Sequence, residues 1–199
     1  AGSRSRRPPQ PPPTHETTTM TQPRPASQDA PNTPPADTPA EPMGAALGRI
    51  PSGLFVVTWR DGDRDRGMLA SWVMQGGFVP PMLTIAIAPS RDLVAAIDQC
   101  RHFVVNVLTE QQRQLLARFG RPAAVGEDPF AGLRVDRTPA GNAALADAAS
   151  WLECRPASQT GGGGGQSGDH IVILARVTAA GSGPDVPPLV HLRRNGLRY

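Results

Sequence analysis

The sequence predicts a mainly β domain, in which an antiparallel sheet closes into a barrel and two or three helices pack outside it. Two observations lead to this prediction. Short runs rich in β-branched and aromatic residues outnumber the segments with helical periodicity. These runs also lack the regular strand–helix–strand spacing of a parallel sheet, so consecutive strands are expected to pair antiparallel.

The composition of the chain changes at Met43. Twelve of the 23 prolines precede this residue, and residues 1–42 hold almost no large apolar side chain. Such a segment cannot offset the entropy lost on ordering, so a disordered Pro-rich tail or linker is expected there. A Pro-rich docking motif and the remnant of a transit peptide remain open as alternatives. Because the sequence starts with Ala, a processed product or an excised fragment is expected. Residues 43–199 are long enough to form one domain.

The charge pattern excludes some classes of function. All 20 basic residues are arginine, and with 17 acidic residues the net charge is only +3. No stretch combines clustered arginine with interleaved aromatic residues, so the sequence does not indicate nucleic-acid binding. No apolar run reaches the roughly 18 residues of a membrane span, and no signal-peptide core follows the first arginines. A soluble protein is therefore expected.

The first half of the domain contains four predicted elements and a turn. Met43–Arg49 is expected to form a short helix, and Leu54–Trp59 has the apolar β-branched pattern of a buried strand. Asp61–Gly62 favours a hairpin turn, after which the chain returns as a second strand over Gly67–Met74. Pro80 and Pro81 then introduce a third strand over Leu83–Ala88, since prolines are excluded from central strand positions.

Helical and strand patterns alternate in the next segment. Ser90 is a plausible N-cap for a helix that ends near Gln99, because apolar residues recur behind it at helical spacing. Phe103–Leu108 is a fourth strand, and the amphipathic segment Glu110–Phe119 predicts a further helix. Gly120–Gly141 is expected to be a loop that Phe130 and Leu133 anchor to the core.

The last part of the chain returns to strands. The alanine-rich segment Ala143–Ala149 predicts a short helix, and Trp151–Cys154 starts another strand. The glycine run Gly161–Gly165 lacks the lysine and serine or threonine of a phosphate-binding loop, so it indicates a flexible surface insertion. Ile171–Val177 is a clear strand, and Leu189–Leu192 is a final apolar segment.

No familiar catalytic or metal-binding motif is present. The two cysteines, Cys100 and Cys154, stand apart and are interpreted as buried thiols of a reducing compartment. His102, His170 and His191 are too far apart in sequence to predict a metal site. Nucleophile elbows, Walker A loops and dinucleotide fingerprints are missing from the sequence. A metalloenzyme is therefore not expected.

Six segments occur in an order that we identify with a known family. They are GMLASWVMQGGFVPPMLTIAIA (67–88), FVVNVL (103–108), GEDPFAGL (126–133), WLEC (151–154), GDH (168–170) and HLRRNGLRY (191–199). Together they resemble the flavin reductase-like, FMN-binding split-barrel family. Within it the sequence is most similar to the C-terminal flavin reductase module of the flavodiiron proteins of oxygenic photosynthetic organisms, whose entry segment resembles ALGRIPSGLFVVT (46–58). The resemblance covers nearly all of residues 43–199.

The resemblance implies both an architecture and an activity. It implies a six-stranded antiparallel split barrel, usually a homodimer, that binds FMN near the interface and transfers hydride from NADPH or NADH to flavin. It also implies electron transport to a flavodiiron core, and a location in the chloroplast or in the cytoplasm. A redox-inactive split barrel that binds FMN, or that serves as an interaction domain, remains the alternative.

The family's FMN site can be carried over to matching residues. Ser90 and Arg91 match the phosphate-binding position, where a hydroxyl and a guanidinium fork suit a phosphate. The other implied flavin contacts are Met68, Leu69, Ala70, Ser71, Trp72 and Gln75. From the residues alone, turn chemistry and a solvated arginine explain Ser71, Gln75 and Arg91 more simply.

His170 is the polar residue that the resemblance places beside the flavin, where it would orient the nicotinamide or the flavin. The alternative is a histidine at a strand start that bonds to backbone. The chain also departs from the family, since many members carry Thr or Ser where this sequence has Leu69, Met74, Gly76 and Gly77. Weak FMN binding is expected from these replacements.

Overall fold

The computed structural model describes residues 41–124, 126–160 and 169–197. Within them the chain forms three α-helices, one turn of 3-10 helix (Glu110–Gln112) and eleven strands. The helices are α1 (Glu41–Gly48), α2 (Leu93–Asp98) and α3 (Gln114–Phe119). The strands are β1 (Ser52–Gly53), β2 (Phe55–Asp61), β3 (Arg64–Ala70), β4 (Val73–Gly77), β5 (Met82–Ile87), β6 (Phe103–Val107), β7 (Val135–Arg137), β8 (Ala143–Leu145), β9 (Ser150–Gln159), β10 (Ile171–Ser182) and β11 (Val190–His191).

One antiparallel sheet dominates the fold. Its strand order is β3-β2-β6-β9-β10-β5-β4, and every neighbouring pair in it is antiparallel. Two small sheets, β1-β11 and β7-β8, complete the strands. The predicted mainly β split barrel is confirmed, although its main sheet has seven strands rather than six.

Strand β2 is buried on both faces, which explains why its sequence is an apolar run. Val57 and Trp59 face one buried cluster with residues of β5, β6 and β10, whereas Val56 faces a second cluster that includes Phe119 and Leu189. Alternate side chains of a strand point to opposite faces, so a strand buried on both faces needs apolar residues throughout. At its far end the predicted hairpin turn is present, with Gly62 at a φ of +59°.

Helix α2 fills one end of the barrel. Its buried residues Leu93, Ala96 and Ile97 have the i, i+3, i+4 spacing that puts them on one helical face. The expected N-cap is wrong, because the helix begins at Leu93 and its N-cap is Asp92, whose side chain makes no capping hydrogen bond. Ser90 is instead an exposed residue of the connection before the helix.

The predicted single strand over Gly67–Met74 is wrong in an informative way. Strand β3 ends at Ala70, and β4 begins at Val73 on the opposite edge of the sheet. Between them the Trp72 carbonyl accepts a hydrogen bond from the Ala86 N–H at 2.9 Å. The chain therefore leaves one edge of the sheet and joins the other at Ser71 and Trp72. The residue types there are as typical of strands as those on either side, so the sequence shows no break.

Two predicted helices also differ from the structure. Ala143–Ala149 is not helical, because Ala143–Leu145 forms β8, which pairs with β7. The segment Glu110–Phe119 is helical as predicted, but it is divided into a 3-10 turn and α3. The predicted anchors Phe130 and Leu133 do pack in the second apolar cluster.

The two cysteines have different environments. Cys154 is fully buried, as predicted, whereas Cys100 is exposed and lies just after α2 with a φ of +54°, so its predicted burial is wrong. Burial raises the pKa of the Cys154 thiol to about 12, with a smaller contribution from the neighbouring charge of Glu153. The Cys154 thiol is therefore unreactive at neutral pH.

Some predicted features lie outside the described residues. They are the Pro-rich tail, apart from Glu41 and Pro42 at the start of α1, and the glycine run Gly161–Gly165. Among the described helices none is long and apolar enough to cross a bilayer.

Candidate functional site

The register of the strands brings the predicted site residues to one end of the barrel. Ile171, the first residue of β10, pairs with Ile87, the last residue of β5. His170 therefore lies beside the connection from β5 to α2, which carries Arg91. The hydrogen bond from Ala86 to Trp72 places the β3–β4 junction at the same end of β5.

A cleft of about 660 Å³ opens at this end, within the usual range of small-molecule pockets of about 300–1,000 Å³. Six parts of the chain line it: the residue before β2, the end of β3, the end of β5 with the connection after it, α3, the residue before β10 and the C-terminal segment. The lining residues are Leu54, Met68, Leu69, Ala70, Ser71, Ala86, Ile87, Ala88, Arg91, Leu116, Gly120, His170, His191, Leu192, Arg193, Arg194 and Asn195.

The charge of this cleft is one-sided. Its described lining includes Arg91, Arg193 and Arg194 together with His170 and His191, and no aspartate or glutamate is among the lining residues. The floor is largely apolar. A cleft that combines an apolar floor with several cationic groups suits a ligand that has a flat apolar part and an anionic part.

A chain of contacts joins the C-terminal segment to the predicted site residues. The Arg193 guanidinium donates a hydrogen bond to the Ser71 hydroxyl, and its Cζ lies 4.9 Å from the centre of the Trp72 ring. The Trp72 and His170 ring centres are 4.5 Å apart, and the rings are tilted by 52°. These contacts fix Ser71, Trp72 and His170 relative to one another across three separate elements.

His170 is mostly shielded from solvent, with 12% of its side chain exposed, while its neighbour Asp169 is 93% exposed. The Nδ1 atom of His170 lies 3.0 Å from a carboxylate oxygen of Asp169. This hydrogen bond lowers the pKa of Asp169 below its usual value. Because a carboxylate only accepts hydrogen bonds, Nδ1 is the donor in this contact.

The structure brings most of the predicted site residues together. Six of the nine line the cleft: Met68, Leu69, Ala70, Ser71, Arg91 and His170. Trp72 contacts two lining residues, His170 and Arg193, through its ring. Gln75 is exposed on β4 and does not line the cleft, and Ser90 faces a neighbouring cleft instead.

This second cleft, of about 930 Å³, shares Met68, Ala88 and Arg91 with the first. Its described lining holds acidic residues beside its arginines, and one arginine is paired within the cleft. Arg121 makes two hydrogen bonds to Glu127, at 2.8 and 3.0 Å, and these bonds hold the pKa of Glu127 at about 2. Because its positive charges are matched by carboxylates, the second cleft is the weaker candidate for an anionic ligand.

The sequence analysis assigned no role to the C-terminal segment. His191–Asn195 supplies five consecutive lining residues, three of which are basic. The basic pair Arg193–Arg194 was visible in the sequence, but no residue pattern placed it near Ser71, which precedes Arg193 by 122 positions. Only the folded register shows that the two segments meet.

The described part of the chain holds no group of three or more His, Cys, Asp or Glu residues that could bind a metal ion. Arginine, serine, histidine, asparagine and tryptophan supply the polar side chains in and around the described part of the first cleft. Guanidinium and hydroxyl groups bind phosphate, and tryptophan offers a flat surface for an aromatic ring. The donor set therefore fits a nucleotide-like ligand.

Comparisons with known proteins point to the same kind of ligand. The family model described as "Flavin reductase like domain" matches residues 47–196. Diflavin flavoprotein A 1 of Synechocystis sp. is 36% identical over 134 residues, which cover 67% of this chain and 22% of that protein. The chain spans only about a quarter of the length of such curated relatives.

Solved structures share the fold. An NADH:FAD oxidoreductase from Streptomyces globisporus has a TM-score of 0.65 at 24% identity, over 74% of this chain and 86% of that one. The styrene monooxygenase flavin reductase from Pseudomonas putida has a TM-score of 0.62 at 25% identity, over 74% and 90% of the two chains.

Proposed function

We propose that this chain, which belongs to the family of flavin reductase like domains, binds FMN in the first cleft and reduces it with NADPH or NADH. The observation that carries the proposal is the one-sided charge of that cleft, which combines an apolar floor with arginine and histidine and has no lining carboxylate. A flavin nucleotide has the matching chemistry, because it joins a flat ring system to a phosphate. The family assignment supports an oxidoreductase activity.

Arg91 is the residue that we assign to the flavin phosphate. It follows the end of β5 and lines the cleft from the connection to α2. A guanidinium offers a fork of N–H donors to phosphate oxygens, and such charged hydrogen bonds are among the stronger ones in proteins. The Arg91 assignment depends on the resemblance together with this position in the cleft.

The flat part of the ligand fits against the end of β3. Met68, Leu69 and Ala70 line the cleft, and β3 is an edge strand of the main sheet, so alternate backbone groups face away from β2. Ser71 adds a buried hydroxyl, which accepts a hydrogen bond from Arg193 and so keeps its own hydrogen for donation. These groups can bind the polar edge of a flavin ring.

His170 orients the bound rings. Its imidazole is held on one side by Asp169 and on the other by the Trp72 ring. When bound, the two nucleotides supply the redox chemistry themselves by direct hydride transfer, so the chain needs only to bind and align them. The contact between the two rings holds His170 and Trp72 together, so they can fix the position of a stacked ring.

We also propose that the chain acts as a homodimer. The hairpin between β4 and β5 exposes three large apolar side chains, Met74 at 65%, Phe78 at 82% and Val79 at 97%. The family resemblance implies a second copy of the chain as the partner, and we assign it to this exposed apolar surface. A dimer mass in solution for the parent chain, and a monomer mass for Phe78→Asp, would support this assignment.

The wider role is the transfer of electrons to a flavodiiron core, in the chloroplast or in the cytoplasm. Relatives such as diflavin flavoprotein A 1 are about four times the length of the matched segment, which supports a core partner. Reoxidation of the reduced chain by a separately purified flavodiiron core tests this role. A redox-inactive module is the alternative, and the weak FMN binding expected from Leu69 and Met74 favours it.

Two measurements on the purified chain test the proposed function. The visible spectrum is recorded after FMN has been added and the excess removed, and NAD(P)H oxidation is then followed with added FMN. We expect retained flavin bands, or turnover clearly above that of free flavin without protein. A colourless protein with no turnover above this background would exclude the reductase and leave the interaction domain.

A further inference from the structure

The C-terminal segment gives the first cleft a second group of cations. Arg91 enters from the connection after β5, whereas Arg193 and Arg194 enter from the segment after β11. A flavin phosphate bound at Arg91 leaves the C-terminal pair to meet another anion. Hydride transfer to flavin needs a second nucleotide in the same cleft, and that nucleotide also carries phosphates.

The C-terminal segment is held firmly against α1. The Arg193 N–H donates to the Gly48 carbonyl at 3.1 Å, and the Gly196 N–H donates to the Gly44 carbonyl at 2.7 Å. The approach is close enough to require glycine, because a Cβ on Gly48 would lie 2.7 Å from the Arg193 carbonyl oxygen. The backbone of the two arginines is therefore placed by the fold.

The two adjacent arginines differ in their surroundings. Arg193 is half-buried and is engaged with the Ser71 hydroxyl and the Trp72 ring. Arg194 lines the cleft but is exposed at its rim, and the structure shows no hydrogen bond or ion pair between its side chain and another described residue. Arg193 thus fixes the segment over the cleft, while the Arg194 guanidinium is available to a ligand.

We propose that Arg194 forms a second phosphate subsite, which binds the ribose 2′-phosphate of NADPH and makes the chain prefer NADPH to NADH. This inference rests on the proposed function. The nicotinamide ring must lie inside the cleft near His170 and Trp72, whereas the 2′-phosphate is at the opposite, adenosine end of the molecule. Among the described basic residues that line the cleft, Arg194 is the exposed one, so we assign it to that end. A phosphate monoester carries about −1.5 to −2 charges near neutral pH, so it is a strong partner for a guanidinium.

Calorimetric titration of the purified full chain, loaded with FMN, with NADP⁺ and with NAD⁺ tests the subsite without relying on turnover. NADP⁺ is expected to bind at least about tenfold more tightly than NAD⁺, as for one charged hydrogen bond. Arg194→Ala should lose about tenfold in NADP⁺ affinity and less than about twofold in NAD⁺ affinity. Arg194→Lys, which keeps the charge, should recover part of the loss.

Arg155→Ala is the matched control, because Arg155 is an exposed arginine of β9 that lines neither cleft. It should change neither affinity. Equal losses for NADP⁺ and NAD⁺ in Arg194→Ala would overturn the assignment, because both share the pyrophosphate. So would an unchanged NADP⁺ affinity, a parent chain that binds neither nucleotide, or a loss of FMN affinity in Arg194→Ala.

The outcomes separate this inference from the proposed function. If the chain oxidises NADH and NADPH equally well, the reductase stands and the subsite is overturned. If NADP⁺ binds selectively through Arg194 but no flavin is reduced, the subsite stands and the reductase is overturned.

Discussion

Two clusters of polar side chains lie in different parts of the domain, and the clusters differ in how their groups are used. In the first cleft Arg91 and Arg194 line a space that is open to a ligand. By contrast, Thr138 and Asn142 donate to Glu153, and nearby Asn106 donates to Thr58, whose hydroxyl donates to the Ala143 carbonyl. We call these five side chains the buried network, since all of them are at most 5% exposed. A polar side chain at a cleft can donate a hydrogen bond to a ligand. A buried polar side chain whose hydrogen bonds are all made within the protein instead stabilises the fold.

The buried network joins distant parts of the chain. Glu153 accepts hydrogen bonds from the Thr138 hydroxyl, from the Ala140 N–H at 3.3 Å and from the Asn142 amide at 3.4 Å. Asn106 donates to the Val56 carbonyl at 2.9 Å and accepts from the Leu145 N–H at 2.8 Å. The network thus ties the loop around β7 and β8 to the main sheet, and we expect its loss to change stability rather than binding.

The largest expected effect is on stability, from Glu153→Ala. This substitution leaves the buried donors of Thr138 and Asn142 and the part-buried Ala140 N–H without their acceptor, so the free energy of unfolding should fall by about 3 kcal/mol. Urea denaturation measures the loss, and Glu153→Gln, which keeps a carbonyl acceptor, should lose clearly less. A flavin affinity that falls along with stability, or an unfolding free energy unchanged in Glu153→Ala, would contradict the division between the two clusters.

The next largest effect belongs to the cleft. Arg91→Ala should weaken FMN binding by about 1.5–3 kcal/mol, which is the contribution of a hydrogen bond to a charged group. Fluorescence titration of FMN measures this loss, and the urea midpoint should stay at the parent value. Arg91→Lys is the matched variant, since it keeps the charge without the guanidinium fork. Unchanged FMN affinity in Arg91→Ala would remove Arg91 from the phosphate.

The difference between local sequence preference and long-range bonds explains how far the fold could be predicted from the sequence. The runs Leu54–Trp59 and Phe103–Leu108 are apolar because both faces of each strand are buried, and such runs identify strands directly. Ala143–Leu145 misled the sequence prediction, because alanine favours helices locally. There the Leu145 N–H is fixed by the Asn106 side chain and the Ala143 carbonyl by the Thr58 hydroxyl, and these long-range bonds override local preference.

The candidate site was predictable only in part, for a related reason. Ser71 and His170 belong to segments that resemble a known family, Arg91 follows one such segment, and the structure brings all three to one cleft. Whether they bind flavin is still a prediction. The resemblance also implied Gln75 as a flavin contact, yet Gln75 is exposed on β4 and does not line the cleft, because the chain changes strand partner at Trp72. Arg193 and Arg194 were missed because only the fold brings the C-terminus to β3.

A smaller effect is expected from His170→Ala. The imidazole orients bound rings and contributes little to holding the phosphate, so FMN affinity should change by less than about threefold. The rate of flavin reduction at saturating NADPH should fall by about tenfold, because a misaligned ring pair reacts more slowly. Stopped-flow reduction of the bound flavin measures this rate. Equal rates in the variant and the parent would reject the orienting role of His170.

The smallest effect is expected from Cys100→Ser, which changes an exposed side chain outside both clusters. Stability should stay within about 0.5 kcal/mol of the parent value, and FMN affinity should be unchanged. A thiol reagent at pH 8 should label one cysteine in the folded parent and none in Cys100→Ser, because the buried Cys154, with its pKa of about 12, has almost no thiolate at that pH.

In the Cys100→Ser background, slow labelling of Cys154 reports opening of the barrel. It should be faster when Glu153→Ala is added to Cys100→Ser and unchanged when Arg91→Ala is added, since only the buried network stabilises the fold. Equal acceleration by both substitutions would show that the cleft also stabilises the barrel.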